Sequence, residues 1–285
     1  MIRKDTKFLI VGLGLIGGCY AMELSEKGYE VNAIARRQET IDYALEKKMI
    51  KKGSAFVDEE LIKRADIIVF ALYPGEFVKW IENNQHLFRP GTLITDVTGV
   101  KTAIVPKIQD VLREDVEFIP AHPMAGREKY GVENSDPEIF VGANYIVTPT
   151  EKNTQEAIDT CCALGQLLGF YRVSVLSIEE HDKMIGFLSQ LTHCIAVSLM
   201  TCNSDDALVK YTGDSFRDLT RIARINEVMW SELFLLNKKY LIDEIDSFVG
   251  ELEKMKNMLA CDDRNGLMEM MKLSTSRRGK FDKGI

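Results

Sequence analysis

A glycine-rich turn, Gly12–Gly17, directly follows the short apolar run Lys7–Val11, and this junction constrains the fold more than any other stretch. A short apolar run of this kind is typical of a strand that is buried on both faces of a parallel sheet. Gly12 permits a tight turn, Gly14 lets the backbone approach a pyrophosphate, and Gly17 lets the next helix pack on the strand. The spacing therefore predicts a strand, a phosphate-binding turn and a helix.

The segments after the turn agree with a nucleotide-binding unit. A helix is predicted from about Leu15 to Lys27, with Gly28 ending it, and a second strand is predicted at Glu30–Ala35. The helix N-terminus offers free N–H groups and a partial positive charge to a diphosphate. We therefore predict a dinucleotide site, and the alternative is an ordinary glycine turn between a strand and a helix.

The residues after the second strand bear on the choice of cofactor. An NAD site usually has Asp or Glu there, roughly 20 residues past the first glycines, to bind the ribose 2′-hydroxyl. This chain has no carboxylate there and instead has Arg36 and Arg37, whose guanidinium groups suit a 2′-phosphate and favour NADP over NAD. In the alternative, both arginines are solvated at the start of a helix, and Arg36 stacks on an adenine. Glu39 is close enough to weaken the distinction between NADP and NAD. The predicted cofactor-binding residues are Gly12, Leu13, Gly14, Leu15, Ile16, Gly17, Arg36 and Arg37, together with Leu72 at the end of a later strand.

Composition is typical of a soluble enzyme and argues against several other classes. The 285 residues suggest two domains or one large one, and 46% hydrophobic residues are ample for a sizeable core. A net charge of -7 argues against nucleic acid as a partner. We expect no membrane span, because no apolar run approaches about 20 residues, and no signal peptide. The six cysteines form no metal-binding spacing, which indicates reduced thiols in a cytoplasmic protein.

Strand and helix patterns alternate through the first part of the chain. Further strands are predicted at Asp66–Leu72, Thr92–Val97, Val116–Ile119, Asn144–Thr148 and Tyr171–Val175, with helices at Glu39–Lys48, Glu76–Asn84, Thr102–Leu112 and Thr154–Leu168. Such alternation predicts an α/β fold with a doubly wound, Rossmann-like parallel sheet. Ligands of these sheets bind beyond the carboxyl ends of the strands. We therefore expect Leu72–Gly75, Asp96–Lys101 and His122–Gly126 to line the site.

After about Leu176 the pattern becomes entirely helical. We predict a dinucleotide-binding domain at residues 1–176 and an all-helical domain for substrate binding and dimerisation at residues 177–285. Its helices are predicted at Ile178–Cys202, near Ala207, at Phe216–Ile225 and at Met229–Leu259. In the last helix, apolar residues recur with the spacing of a coiled coil at Leu241, Ile245, Phe248, Leu252, Met255 and Leu259. This seam favours a homodimer, and burial within one subunit is the alternative.

Four motifs together resemble the prephenate dehydrogenase family of tyrosine biosynthesis. They are Gly12–Gly17, Asp96–Lys101, His122–Gly126, and Phe216–Arg221 followed by Met229 and Trp230. The resemblance extends from the first strand to the long C-terminal helix. It implies oxidative decarboxylation of prephenate to 4-hydroxyphenylpyruvate with NAD or NADP, and it implies no metal. Arogenate dehydrogenases share the motifs and convert the amino analogue to tyrosine.

The resemblance assigns the central chemistry to His122. A neutral imidazole at the sheet edge can accept the proton of the substrate hydroxyl while hydride leaves the same carbon. Pro123 restricts His122 to an extended backbone. Many members have Ser at the position of Gly99, where its hydroxyl assists the histidine, and Thr98 is the expected replacement here. From the residues alone, a hydrogen-bonded histidine in a turn is the alternative.

Prephenate carries two carboxylates, so the resemblance also implies cationic and polar residues around the substrate. Arg221 is expected to bind a carboxylate bidentately, with an ion pair on its own helix as the alternative. His193 is expected to contact the substrate as part of the catalytic group, and Gln190 stands where several relatives have a second histidine. Arg127 and Glu128 are expected to contact the substrate or to close the pocket by pairing with each other.

Two further expectations concern the polar network and the class of protein. Asp182 precedes His193 by about three helical turns, so it lies on roughly the same face and is expected to join the network. A non-catalytic NADP-binding sensor is the alternative from another class, and the presence of His122 and Arg221 argues against it. No mutase or regulatory segment is recognised, so a monofunctional enzyme is expected.

Overall fold

A six-stranded parallel sheet forms the centre of the first part of this computed structural model, which describes residues 2–127 and 129–282. Its strands are β1 (Lys7–Val11), β2 (Glu30–Ile34), β3 (Lys52–Ser54), β4 (Ile67–Phe70), β5 (Leu93–Asp96) and β6 (Glu117–Phe118), and the helices between them are α1 (Leu15–Glu26), α2 (Gln38–Glu46), α3 (Glu59–Arg64), α4 (Pro74–Asn84) and α5 (Val105–Val111). The order β3-β2-β1-β4-β5-β6 confirms the doubly wound, Rossmann-like sheet. Because the order reverses between β1 and β4, a ligand crevice lies where these two strands end.

β1 is buried on both faces because its side chains alternate between two apolar cores. Phe8 and Ile10 belong to the core on the side of α1, while Leu9 and Val11 belong to the core on the side of α4 and α5. Burying each such side chain stabilises the fold by about 1.5–3 kcal/mol. This packing fixes the position of the glycine turn that follows.

A second, three-stranded sheet carries His122. It consists of β7 (Ala121–Met124), β8 (Asn144–Val147) and β9 (Arg172–Val175), with α6 (Gln155–Leu167) between β8 and β9. β7 is antiparallel to β8, and β9 is parallel to it. The expectation that all strands share one parallel sheet and that His122 follows a strand end was wrong. Pro120 cannot donate to a sheet, and its carbonyl accepts the N–H of Thr148 at 2.9 Å, so the chain leaves β6 there and pairs with β8.

The predicted helix Ile178–Cys202 is present as α7 (Ile178–Ile185), a π-helical segment at Gly186–Leu191, and α8 (Thr192–Thr201). Contrary to the expectation from the sequence, the stretch Ile178–Thr201 is long and apolar enough to cross a membrane by length and composition. Three of its polar side chains, His181, Asp182 and Gln190, are nevertheless buried. Hydrogen bonds within the described structure engage these side chains, between His181 and Asp182 and from Gln190 to the carbonyl of Leu233.

The remaining helices are α9 (Asp214–Thr220), a short helical turn at Arg221–Ala223, α10 (Glu227–Leu236), α11 (Lys238–Ala260) and α12 (Arg264–Arg278). The prediction of one helix at Met229–Leu259 was wrong, because Asn237 separates α10 from α11. Asn237 has a non-helical backbone, and its side chain donates to the carbonyl of Asp182 at 2.9 Å and to Oε1 of Gln190 at 2.7 Å.

The chain divides into two compact units, Met1–Lys238 and Lys239–Ile285. The first unit contains both sheets and the helices up to α10, and the second contains nearly all of α11 together with α12. On α11, the predicted seam residues Leu252 and Leu259 are 50% and 60% exposed in the single chain. The boundary between the units, after Lys238, differs from the domain boundary predicted between residues 176 and 177. The predicted domain boundary stays a prediction.

Candidate active site

The turn Gly12–Gly17 has the geometry of a diphosphate cradle. Gly12 has a φ of 99°, and a Cβ there would collide with the carbonyl of Ala71. A Cβ on Gly17 would collide with the carbonyl of Gly12, whereas a Cβ on Gly14 would meet open space. Gly14 also begins α1 without any side-chain cap, which leaves the first N–H groups of the helix for an anion. The residues present therefore fit the diphosphate of a nicotinamide cofactor.

The other predicted cofactor residues surround this turn. Leu72 follows β4, and its Cδ2 lies 2.9 Å from the position that a Cβ on Gly12 would take. Leu13 packs its side chain into the core, so it offers only its backbone, while Leu15 and Ile16 form the first turn of α1. All of these residues lie at the switch point of the sheet.

Arg36 and Arg37 lie beyond the end of β2, where the ribose of a dinucleotide is expected. Both side chains are exposed, and Arg37 precedes the first residue of α2. Across residues 2–127 and 129–282, neither guanidinium group has a hydrogen bond or an ion pair. Both are therefore available to a phosphate, although this does not identify the cofactor.

A buried ion pair organises the loop that follows β5. Nζ of Lys101 lies 2.7 Å from Oδ2 of Asp96, and both side chains are completely buried. The same pair holds both backbone polar groups of Ala121: Oδ1 of Asp96 accepts the N–H of Ala121 at 3.0 Å, and Lys101 donates to the carbonyl of Ala121 at 2.6 Å. Removing one partner of such a pair costs about 3–5 kcal/mol, since the other charge is left buried. The pair thus fixes the backbone immediately before His122.

His122 is the first member of a chain of three hydrogen-bonded side chains. Its Nδ1 lies 2.8 Å from Nε2 of His181, and Nδ1 of His181 lies 2.8 Å from Oδ1 of Asp182. His122 is partly exposed, whereas His181 and Asp182 are fully buried. Asp182 also accepts hydrogen bonds from the backbone N–H groups of Lys101 and Thr102, so the chain is anchored to the loop after β5.

Burial is the main cause that keeps both imidazoles of this chain neutral. Burial, the neighbouring His181 and the cation of Lys101 together hold the pKa of His122 well below its usual value. Burial also lowers the pKa of His181, although the contact with Asp182 opposes that effect. Burial acts to raise the pKa of Asp182, but hydrogen bonds from His181 and Thr102 outweigh it and lower that pKa. A neutral His122 beside an ionised Asp182 is therefore the favoured state.

Gly99 leaves space beside the second nitrogen of His122. A Cβ on Gly99 would lie 3.7 Å from both Nε2 and Cε1 of His122, and 3.7 Å from Cδ1 of Leu233. The hydroxyl of Thr98, the expected replacement for a serine, instead donates to Asp96 and also lies 3.3 Å from Nζ of Lys101. Thr98 therefore supports the buried ion pair, and its expected assistance to His122 gains no support from these contacts.

His193 contacts helix α10, which also lies beside Gly99. Its Nδ1 is 2.8 Å from the carbonyl of Ser189, and its ring stacks on Trp230 with the centroids 3.7 Å apart. Trp230 and Leu233 are one turn apart on α10, and Leu233 lies beside Gly99. Helix α10 thus connects the surroundings of His193 to those of His122.

Gln190 is an internal link between helices. Its Nε2 donates to the carbonyl of Leu233 at 3.3 Å, its Oε1 accepts from Asn237 at 2.7 Å, and only 1% of the residue is exposed. Both ends of the amide are therefore engaged within the protein. Its expected contact with the substrate stays a prediction, and these bonds indicate that it positions α10 against the π-helical segment.

The remaining predicted substrate residues lie on two other segments. Arg221 begins the short helical turn that packs against α8, the helix that carries His193. Arg127 forms an ion pair with Asp136 at 2.8 Å. Glu128 lies outside the described residues, so the pairing expected between Arg127 and Glu128 has no structural description. The substrate contacts of all three residues stay predictions.

Sequence reasoning missed His181, Trp230 as a ring partner of His193, and Asn237. The sequence did contain a signal for His181, because it directly precedes Asp182, which the helical spacing had placed in a polar network. A histidine next to an acidic residue on an apolar helix is a pattern that could have identified it. The contacts of Trp230 and Asn237 depend on how α10 packs, which helical periodicity does not specify.

Comparison with known families matches both halves of the chain. The model of the prephenate dehydrogenase nucleotide-binding domain matches residues 20–169, and that of the prephenate dehydrogenase dimerization domain matches residues 177–273. Prephenate dehydrogenase of Bacillus subtilis is 31% identical over 284 residues, which cover 96% of this chain and 76% of that protein. Cyclohexadienyl dehydrogenase of Zymomonas mobilis is 26% identical, and the match covers 94% of each chain.

Solved structures agree with these sequence comparisons. Prephenate dehydrogenase of Aquifex aeolicus in complex with hydroxyphenyl propionate and NAD+ superposes with a TM-score of 0.91 at 27% identity. That match covers 99% of this chain and 100% of the other. Arogenate dehydrogenase of Synechocystis superposes with a TM-score of 0.83 at 23% identity, covering 97% of this chain and 100% of the other, and shows the fold alone.

Proposed function

The chain belongs to the prephenate dehydrogenase family, and we propose that it oxidises and decarboxylates prephenate with His122 as the general base. It is an oxidoreductase with a domain that binds a nicotinamide dinucleotide. The observation that carries the proposal for His122 is the environment of its ring. Its Nδ1 is bound to a buried histidine, and its Nε2 lies beside Gly99, whose missing side chain leaves room for a Cβ at 3.7 Å.

In this proposal, Nε2 of His122 accepts the proton of the substrate hydroxyl. A bound nicotinamide supplies the acceptor for the hydride that leaves the same carbon. The ring carboxylate then departs as carbon dioxide, and its bonding electrons complete the aromatic ring of 4-hydroxyphenylpyruvate. A neutral base is required at the first step, and the lowered pKa of His122 keeps its imidazole neutral at pH 7.

We assign the substrate contacts to the region around α8. His193, held by Ser189 and stacked on Trp230, presents a polar edge on a rigid ring. Arg221 supplies a cation for one of the two carboxylates, and Arg127 would have to exchange its ion pair with Asp136 to supply another. Thr98 and Gln190 act in this proposal through positioning rather than through contact with the substrate.

We further propose that NADP is preferred to NAD, on the strength of the two exposed guanidinium groups of Arg36 and Arg37. Replacing both by Ala should weaken NADP binding by about 10–100-fold, the loss expected for one or two hydrogen bonds to a charged phosphate, and should leave NAD nearly unchanged. Titration of each cofactor against the protein measures this. Lys107→Ala, which removes an exposed cation from α5, is the control. Equal weakening of both cofactors would contradict the preference.

We propose a cytoplasmic homodimer, with the chain paired through its C-terminal helices. The match of residues 177–273 to a dimerization domain and the exposed seam of α11 support this assembly. The division into a dinucleotide-binding domain at residues 1–176 and a helical domain at residues 177–285 belongs to the same proposal.

A steady-state assay tests the proposed activity. The purified protein is supplied with prephenate or arogenate and with NADP or NAD, and the reduced nicotinamide is followed by absorbance. Turnover of prephenate with production of 4-hydroxyphenylpyruvate is the expected result. Turnover of arogenate alone would show that arogenate, rather than prephenate, is the substrate. Turnover of neither compound would indicate a cofactor-binding protein without this activity.

A further inference from the structure

The chain from His122 through His181 to Asp182 leads away from the position at which the substrate is proposed to bind. Both links in it are 2.8 Å long, and each ring nitrogen in them can form only one hydrogen bond, either as donor or as acceptor. The two inner members are completely buried. Water therefore does not compete for these atoms, and the atom that carries each proton is determined by the groups on either side.

Asp182 is held in its ionised form by four donors. The N–H groups of Lys101 and Thr102 donate to it at 2.9 Å and 2.8 Å, and the hydroxyl of Thr102 donates at 2.5 Å. His181 is the fourth partner. An ionised carboxylate is an acceptor only, whereas a protonated one would need an acceptor of its own. The donors around Asp182 thus require His181 to carry a proton on Nδ1.

We propose that His181, oriented by Asp182, fixes His122 in the tautomer that carries its proton on Nδ1 and leaves Nε2 free to accept one. This inference rests on the proposed role of His122 as the base. A neutral His181 with its proton on Nδ1 has a lone pair on Nε2, and this lone pair can only accept. Nδ1 of His122 must therefore be the donor in their bond, and Nε2 of His122 is left without a proton.

The proposal accounts for every proton in the oxidation step. When Nε2 of His122 takes the hydroxyl proton, the ring becomes a cation with both nitrogens protonated. Its Nδ1–H remains donated to His181, so no proton has to move along the chain. The negative charge of Asp182 lies behind His181 and stabilises the cation until Nε2 returns its proton to water. His181 and Asp182 are thus positioning residues.

Nuclear magnetic resonance on the protein labelled with ¹⁵N-histidine tests this arrangement directly. The chain has only four histidines, so single replacements assign each ring. In the free protein at neutral pH, we expect His122 and His181 to carry their protons on Nδ1. The exposed ring of His86 provides an internal reference. This measurement needs neither substrate nor turnover, so its result is independent of whether prephenate is the substrate.

Two replacements of His181 separate positioning from general structural support. The amide of Asn reaches about as far as Nδ1 of histidine, so His181→Asn should keep the bond to Asp182 and lose the bond to His122. The longer amide of Gln reaches the place of Nε2, so His181→Gln should still accept from His122. We expect His181→Asn to shift the His122 proton toward Nε2 and to lower kcat by up to about 10⁴-fold, the order expected when a base is held in the wrong tautomer. His181→Gln should preserve the tautomer and retain kcat within about tenfold of the unaltered protein.

The contradicting results are equally specific. A His122 ring that carries its proton on Nε2 in the unaltered protein would overturn the proposal without any variant. So would equal losses of kcat in the Asn and Gln variants with the His122 tautomer unchanged, because a merely structural residue would produce that pattern. Thermal unfolding and cofactor titration of each variant establish that the fold and the dinucleotide site are intact.

Discussion

His122 combines a fixed backbone with a ring whose charged form is disfavoured. The Asp96–Lys101 pair holds the peptide before it, and burial, His181 and Lys101 lower the pKa of its ring. Lys101 therefore contributes both to the position of His122 and to its protonation, whereas Asp96 acts on the backbone and His181 acts on the ring.

Replacement of the ring itself gives the simplest prediction at this scale. His122→Ala should lower kcat by about 10²–10⁴-fold, the range expected for loss of general base catalysis, with little change in cofactor affinity. Steady-state kinetics and cofactor titration measure both quantities. His86→Ala, which removes an exposed ring elsewhere, should leave both unchanged. A loss smaller than tenfold would remove His122 from the role of base.

The pH dependence of kcat/KM follows from the lowered pKa of His122. A base works in its neutral form, so activity is lost as the pH falls through the pKa of His122. That pKa lies well below its usual value of 6.5, because burial, His181 and Lys101 all act against the charged ring, while Asp182 and Asp96 lie behind these neighbours. We therefore expect kcat/KM to remain constant as the pH falls through 6.5 and to decline only below it. An acid limb centred at or above 6.5 would contradict this expectation.

Part of this site could be predicted from the sequence, and part could not. The glycine turn follows a strand end, where ligands of parallel sheets bind, so its placement needed only the strand pattern. His122 was expected after a strand end but lies within β7 of the second sheet. The partner of Thr98 is Asp96 rather than His122, and His181 meets His122 across 59 positions of sequence. The contact between His181 and His122 depends on tertiary packing, which local patterns do not encode.

Helix α10 is held against the amino end of α4 by two polar contacts. Oε1 of Glu232 accepts the N–H of Gly75 at 2.7 Å, and Nδ2 of Asn226 donates to the hydroxyl of Tyr73 at 2.9 Å. A carboxylate at a helix N-terminus interacts favourably with the free N–H groups and with the helix dipole. These contacts connect the helix of Trp230 and Leu233 to the loop that follows β4.

The charge of Glu232 should therefore contribute to stability. Glu232→Gln retains an acceptor for Gly75 but loses the negative charge, and should lower the free energy of unfolding by about 0.3–1 kcal/mol. Chemical denaturation at low salt measures the change. Glu82→Gln, at an exposed position near the other end of α4, should be neutral or slightly stabilising, because a negative charge there opposes the dipole. Equal destabilisation by both replacements would contradict the assignment.

Long periodic elements were predicted better than short ones. The strands from β1 to β6 other than β3 were predicted to within three residues at each end, because their apolar runs are continuous. β3 and α3 were missed: β3 is a three-residue strand centred on Gly53, and α3 has only six residues, four of them charged. The break at Asn237 was missed because apolar residues continue on both sides of it. Side-chain bonds to Asp182 and Gln190, rather than local propensity, distinguish that position.

At the scale of the whole molecule, the exposed apolar side chains are concentrated after residue 186. Those on α11 and α12 that exceed 40% exposure are Ile242, Val249, Leu252, Leu259, Met268, Met271 and Leu273. Isolated apolar residues on a surface are normal, but a set of this size on two consecutive helices indicates an interface. The α/β fold class could be predicted from the alternation of strand and helix patterns alone. Assembly depends on a surface for which the only signal in the sequence is the spacing of apolar residues on α11.

Assembly can be tested on the seam of α11. The unaltered protein should have twice the monomer mass by light scattering, and Leu252→Asp combined with Leu259→Asp should shift it toward the monomer, because two charges would be buried at the interface. Lys256→Asp, at an exposed position off the seam, should leave the mass unchanged. A dimer that survives the double replacement would place the interface elsewhere.

The ion pair beneath Ala121 has a direction as well as a charge. The carboxylate of Asp96 lies at the backbone N–H of Ala121, and the ammonium of Lys101 lies at the carbonyl oxygen of the same residue. Exchanging the two residues would therefore set like partial charges against each other at both ends, even though the net charge of the pair would be preserved. Besides attracting each other, the two side chains match the polarity of the backbone N–H and carbonyl of Ala121, and thereby determine which way the chain enters the strand that bears the imidazole.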